Sequence, residues 1–299
     1  MAFSALALSP ALLRALERQG LNQPTPVQAQ TIPAILAGRD VLACAQTGSG
    51  KTLAFGLPLL QSLALQAMPQ PRAVRGLILV PTRELAVQVG DALRALANQL
   101  PESIKVSVVF GGVSINPQML AMRGGTDVVV ATPGRLLDLV KHNALHLSSV
   151  QTLVLDEADR LLDMGFADEL QHILRLLPAQ RQNLFFSATF AAPVDALAQS
   201  LLRDPQRIEI PTSPQTAPDI TQRAIHVDAP RRTQLLRHLI TTQHWKRVLV
   251  FVATKHAAEI VADKLRKARI YAEPFHGELS QGKRSQVLSD FKASRLKVV

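Results

Sequence analysis

Two short stretches hold the residue types that phosphate chemistry needs. The first is AQTGSGKT, residues 45–52. It follows the apolar run VLAC and precedes LAFGLPLLQSL, which is the strand–loop–helix setting of a phosphate-binding loop. Gly48 and Gly50 let the backbone curl until its N–H groups face phosphate oxygens, beside the following helix N-terminus. Ala45, Gln46, Thr47 and Ser49 complete the loop. Lys51 would set a positive charge on the β and γ phosphates, and the Thr52 hydroxyl would ligate Mg²⁺. The second stretch is LVLDEADR, residues 153–160. Asp156 and Glu157 come at the C-terminal end of a predicted buried strand, the edge at which open α/β sheets bind ligands. There Asp156 would hold Mg²⁺ through its water shell and Glu157 would orient an attacking water. Two acids after a strand could also serve only the dipole of a following helix. A phosphate loop in the same chain gives them a cation to share.

Such side chains work only if strands carry them to one edge. Six runs are nearly continuous in Val, Ile, Leu or Phe: VLACAQ (41–46), LILVPT (77–82), VSVVFGG (106–112), DVVVATPG (127–134), TLVLDEAD (152–159) and NLFFSAT (183–189). Continuity of that kind is expected when helices cover both faces of a parallel sheet. Segments with helical spacing lie between them, RELAVQVGDALRALANQL for example, and the alternation predicts an α/β doubly wound fold. PTSPQTAPDI (211–220), with three prolines, reads as an extended linker. Beyond it the rhythm restarts with AIHVD, VLVFVAT, IYAEPFHG and LKVV. The expectation is a full domain over 1–210, a linker over 211–220 and part of a second domain over 221–299.

The chain has 299 residues, 47% hydrophobic and 19% charged, enough for packed cores and against global disorder. One cysteine, Cys44, excludes an internal disulfide framework and fits a reducing cytoplasm. The N-terminus does not read as a signal peptide. No run reaches the ~18 apolar residues of a membrane helix; the nearest, LAFGLPLLQSLALQAM, is interrupted by Pro58, Gln61 and Gln66. The net charge of +10 is uneven: residues 1–220 balance 17 Lys and Arg against 17 Asp and Glu, while residues 221–299 set 16 against 6. A strongly basic module points to a polyanion partner, against the plainer reading of a solvated surface.

The two chemical stretches, together with PTPVQ (24–28), PTREL (81–85), GG (111–112), TPGR (132–135), SAT (187–189), VLVFVAT (248–254) and HGELSQGKR (276–284), resemble in content and order a DEAD-box RNA helicase of the bacterial RhlE-like branch. The resemblance runs from Phe3 to the last residue. It implies a RecA-like P-loop domain with a mostly parallel sheet, linked to an incomplete second RecA-like domain. It implies ATP and Mg²⁺ as cofactors, RNA bound with little sequence preference, and coupling of ATP hydrolysis to duplex unwinding or remodelling. Gln28 would read adenine, since its amide donates and accepts at once, with Phe3 as the upstream aromatic of that element. Leu21 follows Gly20 where the family usually has an adenine-stacking aromatic, which implies weaker stacking. Pro81, Thr82 and Arg83, Gly111 and Gly112, and Thr132, Pro133, Gly134 and Arg135 would grip the RNA backbone, contacts that position a strand without reading it. Ser187, Ala188 and Thr189 would couple nucleotide state to RNA through the hydroxyls bonding Asp159.

In that family a further strand motif and an arginine-rich motif follow the point at which LKVV stands. Arginines of this kind contribute roughly 10³–10⁵ in phosphoryl-transfer rate, so the 299 residues alone are expected to bind ATP–Mg²⁺, hydrolyse it slowly and not unwind duplexes. The alternative is a non-catalytic RNA-binding protein switched by nucleotide. Remaining single residues read as structural: Cys44 as strand packing, Trp245 between a helix and VLVFVAT, His276 as a structural histidine, and KLRKAR (264–269) as a solvated helix face.

Overall fold

A run that is apolar at every position suits a strand covered on both sides, because successive side chains enter opposite layers. The computed structural model describes residues 2–211 and 220–299, in two compact units, Met1–Ala217 and Pro218–Val299. The linker expected over 211–220 lies, apart from its two end residues, outside the described residues.

The first unit holds β1 (Val41–Cys44), β2 (Gly76–Leu79), β3 (Val106–Val109), β4 (Val128–Ala131), β5 (Thr152–Leu155), β6 (Gln182–Ser187) and β7 (Gln206–Glu209). They form one sheet in the order β3-β4-β2-β5-β6-β1-β7, parallel at every pairing. Four helices, α1 (Pro10–Arg18), α2 (Pro26–Leu36), α3 (Lys51–Ala64) and α4 (Arg83–Ala97), contribute to the core on one face. The other face is packed by α5 (Asn116–Met122), α6 (Pro133–Lys141), α7 (Ala158–Asp163), α8 (Ala167–Leu176) and α9 (Ala192–Leu201). Strand β6 shows the alternation: Leu184 and Phe186 enter the first layer and Phe185 the second. Phe55 of α3 meets Phe186 with ring centroids 5.3 Å apart. Truncating such a fully buried ring costs about 3–5 kcal/mol.

The expected runs reach past the strands, because their Gly, Pro and Thr tails open the next loops and helices. In DVVVATPG the strand ends at Ala131, Thr132 caps α6 and Pro133 is its first residue. Strand β7 was not among the expected runs. It lies at the sheet edge and buries only Ile208, too little to read as a covered strand.

Two buried acids staple the N-terminal edge of this sheet. Asp40 accepts from Asn183 N at 2.7 Å and from Arg203 N at 2.9 Å, tying β1 to β6 and to the approach to β7. Asp127 pairs with Arg75 at 2.8 Å and accepts from Lys105 N at 2.9 Å, tying β2, β3 and β4. That leaves the C-terminal edge free for loops with other work.

The second unit contains α10 (Arg232–Thr242), α11 (Lys255–Lys267) and α12 (Gln281–Lys292). Here the expected strands are corrected. Among the described residues, parallel pairing is limited to the bridges Val248↔Val298 and Ala272↔Val298, and AIHVD forms no regular element. Phe251 is 88% exposed and Tyr271 77%, so these runs lack the cover on both faces that favours a continuous strand. Trp245, expected inside the packing, is 38% exposed. His276 Nε2 lies 2.9 Å from Glu259 Oε1.

Candidate nucleotide and nucleic-acid site

In a parallel sheet every strand delivers its following loop to the same edge, and the strand order decides which loops are neighbours. Strands β5, β6 and β1 are consecutive across this sheet, so LVLDEADR, SAT and AQTGSGKT emerge side by side. Strands β3, β4 and β2 are consecutive too, so GG, TPGR and PTREL form a second group. The two groups meet where β2 pairs with β5.

On the phosphate side, the loop is anchored by Ala45 N donating to Ser187 O at 3.0 Å. Gly50 has φ +94°, a conformation that favours glycine, and α3 starts at Lys51. Lys51 is buried, and its Nζ donates to Ala45 O at 3.0 Å. Gln46, Thr47 and Gly48 face solvent, while Ser49 and Thr52 are half-buried. Asp156 follows β5 and is 3% exposed. Burial pushes its carboxyl up to about 6, the positive charge of Lys51 opposes that rise and Glu157 adds to it. The Asp156 carboxylate and the Thr52 hydroxyl are oxygen donors of the kind Mg²⁺ takes, and Lys51 carries a positive charge to meet the anionic phosphates, so the residues present fit Mg²⁺ carried on a nucleotide. Among the described residues no cluster of His, Cys, Asp or Glu could hold a metal unaided.

Glu157 caps α7 at φ +52° and ψ +52°, and Arg160 one turn on donates to its Oε2 at 3.0 Å. LVLDEADR gives Arg160 no role of its own, although its i,i+3 spacing from Glu157 is the sequence signal for this pair. Gln28 is buried, accepting from Thr25 N at 2.9 Å and donating to Gly50 O at 3.0 Å. The expected adenine reader therefore touches the phosphate loop directly. Phe3 is 4% exposed inside the first core layer, so it supports that element from within. The expected bond from SAT to Asp159 is not formed. The Ser187 hydroxyl accepts from Thr189 N at 3.3 Å, Thr189 faces solvent, and Asp159 Oδ1 is buried without a hydrogen-bond partner. Ala188 O receives the Cys44 Sγ at 3.4 Å.

On the other side, Pro81 ends the β2 loop and Thr82 caps α4, its hydroxyl accepting from Leu85 N at 3.2 Å. Arg83 packs over Gly112: a Cβ on that glycine, at φ +74°, would lie 2.0 Å from the guanidinium. Gly111 beside it has open space. Arg135 is 8% exposed, Nη2 donating to Val113 O at 2.7 Å, with Asp138 3.6 Å from Nε. Its Nε and Nη1 are buried without hydrogen bonds, so this guanidinium has donors to spare. Thr132, Pro133 and Gly134 open α6 next to it.

The profile described as DEAD/DEAH box helicase matches residues 25–197, and that described as Helicase conserved C-terminal domain matches residues 231–299. The chain is 37% identical over 297 residues to the DEAD-box ATP-dependent RNA helicase CshA of Bacillus cereus, covering 99% of this chain and 55% of that protein. It is 39% identical to the ATP-dependent RNA helicase DeaD of Escherichia coli, covering 99% and 46%. The chain thus spans about half the length of the curated relatives it matches. Among solved structures, a DEAD box protein from Methanococcus jannaschii aligns with TM-score 0.65 and 33% identity, over 100% of this chain and 79% of that one. A Dbp5 variant from S. cerevisiae bound to RNA and ADP BeF3 aligns with TM-score 0.81 and 28% identity, over 99% and 74%.

Proposed function

Because the chain belongs to the DEAD/DEAH box helicase family, we propose that it carries the nucleotide and RNA sites of an ATP-dependent RNA helicase. The observation that carries this reading is the sheet order, which brings AQTGSGKT and the acids of LVLDEADR to the same edge as PTREL, GG and TPGR. The loop N–H groups and Lys51 bind the phosphates, and Gln28 reads adenine while touching the loop. Thr52 and Asp156 hold Mg²⁺, which when bound offsets the charge that develops on the transferring phosphoryl group. Glu157, steadied by Arg160, orients the water and draws its proton. Arg83, Gly112, Thr132 and Arg135 hold RNA by its backbone. Asp159 with Ser187 and Thr189 couples the two groups by forming the bond that this structure lacks.

Residues 1–210 are assigned to a RecA-like domain, 211–220 to a linker and 221–299 to part of a second RecA-like domain, with cytoplasmic location fitting the single cysteine. A RhlE-like branch rests on the motifs alone. The 299 residues alone are proposed to bind ATP and turn it over slowly, in keeping with a second unit whose β pairing, among the described residues, is confined to bridges. Steady-state ATPase with and without single-stranded RNA, on the wild-type chain and Glu157→Gln, tests the reading. Turnover should fall about 10²–10⁴-fold in the variant, with binding of a fluorescent ATP analogue kept. Unchanged turnover would favour the non-catalytic switch instead.

A further inference from the structure

The surface at the start of the second unit has no part in the sites described so far. There segment 220–227, the C-terminal end of α10 and Trp245 line a groove of about 480 Å³. It is lined by Thr221, Arg223, Ile225, Leu239, Gln243 and Trp245. Trp245 is 38% exposed and Ile225 52%, so a flat aromatic and an aliphatic wall stand open to solvent. The surroundings are basic, although Arg231 pairs with Asp228 and Lys255 with Glu278. Between Asp228 and Glu259 the chain has six Lys or Arg and no acid. Arg223, Arg237, Lys246 and Arg247 are all exposed, and none has an ion-pair partner among the described residues.

We propose that this groove binds single-stranded RNA, with one base stacked on Trp245 and the adjoining phosphates on Arg223, Lys246 and Arg247. An aromatic face accepts the π-face of any base, and flanking cations gain by releasing counterions from the phosphate backbone. Charge complementarity selects the occupant: an apolar partner would leave these cations unmatched, and RNA supplies anion and ring together. The proposal takes its polymer from the reading above but uses none of the residues assigned there.

Trp245 is the only tryptophan, so its emission reports on this groove alone. The nucleotide-free chain is titrated with a 12-mer oligouridylate in an Arg83→Glu/Arg135→Glu background, which removes the contacts proposed for the first unit. Saturable quenching is expected. Its affinity should fall with salt at a log–log slope of about −2, as three phosphate contacts on a single strand give. By anisotropy of a labelled oligomer, Trp245→Ala should weaken binding about 5- to 150-fold, the loss of one stacked base. Arg223→Glu/Lys246→Glu/Arg247→Glu, all at the surface, should abolish quenching while circular dichroism stays unchanged. An abasic 12-mer should quench little. Equal quenching by the abasic oligomer or by polyglutamate overturns the proposal, as does absence of quenching in this background. Quenching confined to wild-type Arg83 and Arg135 would also overturn the groove, and would leave the first-unit reading standing.

Discussion

At Glu157 the backbone carries a cost that its side chain does not explain. An L-residue in the left-handed region crowds the next carbonyl, at roughly 1–2 kcal/mol, and Glu157 sits there at φ +52°. Glycine bears no such penalty, whereas alanine does. Glu157→Gly should therefore be more stable than Glu157→Ala by about 1 kcal/mol, both having lost the same pair with Arg160. Urea unfolding of the two variants reads the difference, and an alanine variant equal to or above glycine would remove the strain argument. Cys44 offers a second test. Burial is the largest cause raising its thiol above the ordinary range, Glu209 adds to the rise, Lys51 opposes it, and Asp159 adds a smaller push. The thiolate is the reactive form, so alkylation by iodoacetamide at pH 8 should be slower in the folded chain than after unfolding. An unfolded thiol ionises first as pH rises, so this group takes stability away above the usual thiol range and has no effect below it. Equal rates folded and unfolded would contradict the shift.

Between residues and the sheet stand the loops, and there the contact of Arg83 with Gly112 joins two elements 29 positions apart in sequence. Gly112→Ala would force a left-handed alanine and push its Cβ against the guanidinium. RNA affinity should fall while fluorescent-nucleotide affinity stays, because the phosphate loop leaves β1 on the other side of β5 and β6. Filter binding and nucleotide titration on one preparation separate the two, and joint loss would mean a folding defect instead. Most strand cores were legible as elements because double cover makes strands apolar throughout. Their ends were not, since a Gly or Pro tail opens the next turn. β7 escaped because an edge strand with one buried residue has neither continuity nor strong alternation.

For the molecule as a whole, the two units differ in how their backbones are held. Among the described residues, the first has six parallel strand pairings and the second has two parallel bridges. Amide exchange follows local opening, which ranges from near zero to the global stability. Amides of β1, β5 and β6 should therefore be among the slowest in the chain, and those of residues 249–254 among the fastest outside termini. Mass-spectrometric exchange at peptide resolution decides this, and protection of 249–254 matching that of β5 would count against it.

The amino-acid order alone determined which residue types were on offer: a glycine-rich loop closing on Lys51 and Thr52, paired acids at a strand end, and PTREL, GG and TPGR in a recognisable succession. Each depends on neighbours within about ten residues, and such local dependence is written in sequence. It did not determine which loops touch. PTREL and TPGR are 51 positions apart and become neighbours because β2 pairs with β4. Gln28 reaches Gly50 across α2 and α3, and the SAT hydroxyls stay clear of Asp159. Strand order, hydrogen-bond choice among competing partners and burial of Phe3 follow from how the α-helices of the first unit pack on two faces at once. No single segment encodes that packing, so it was decided only in the folded chain.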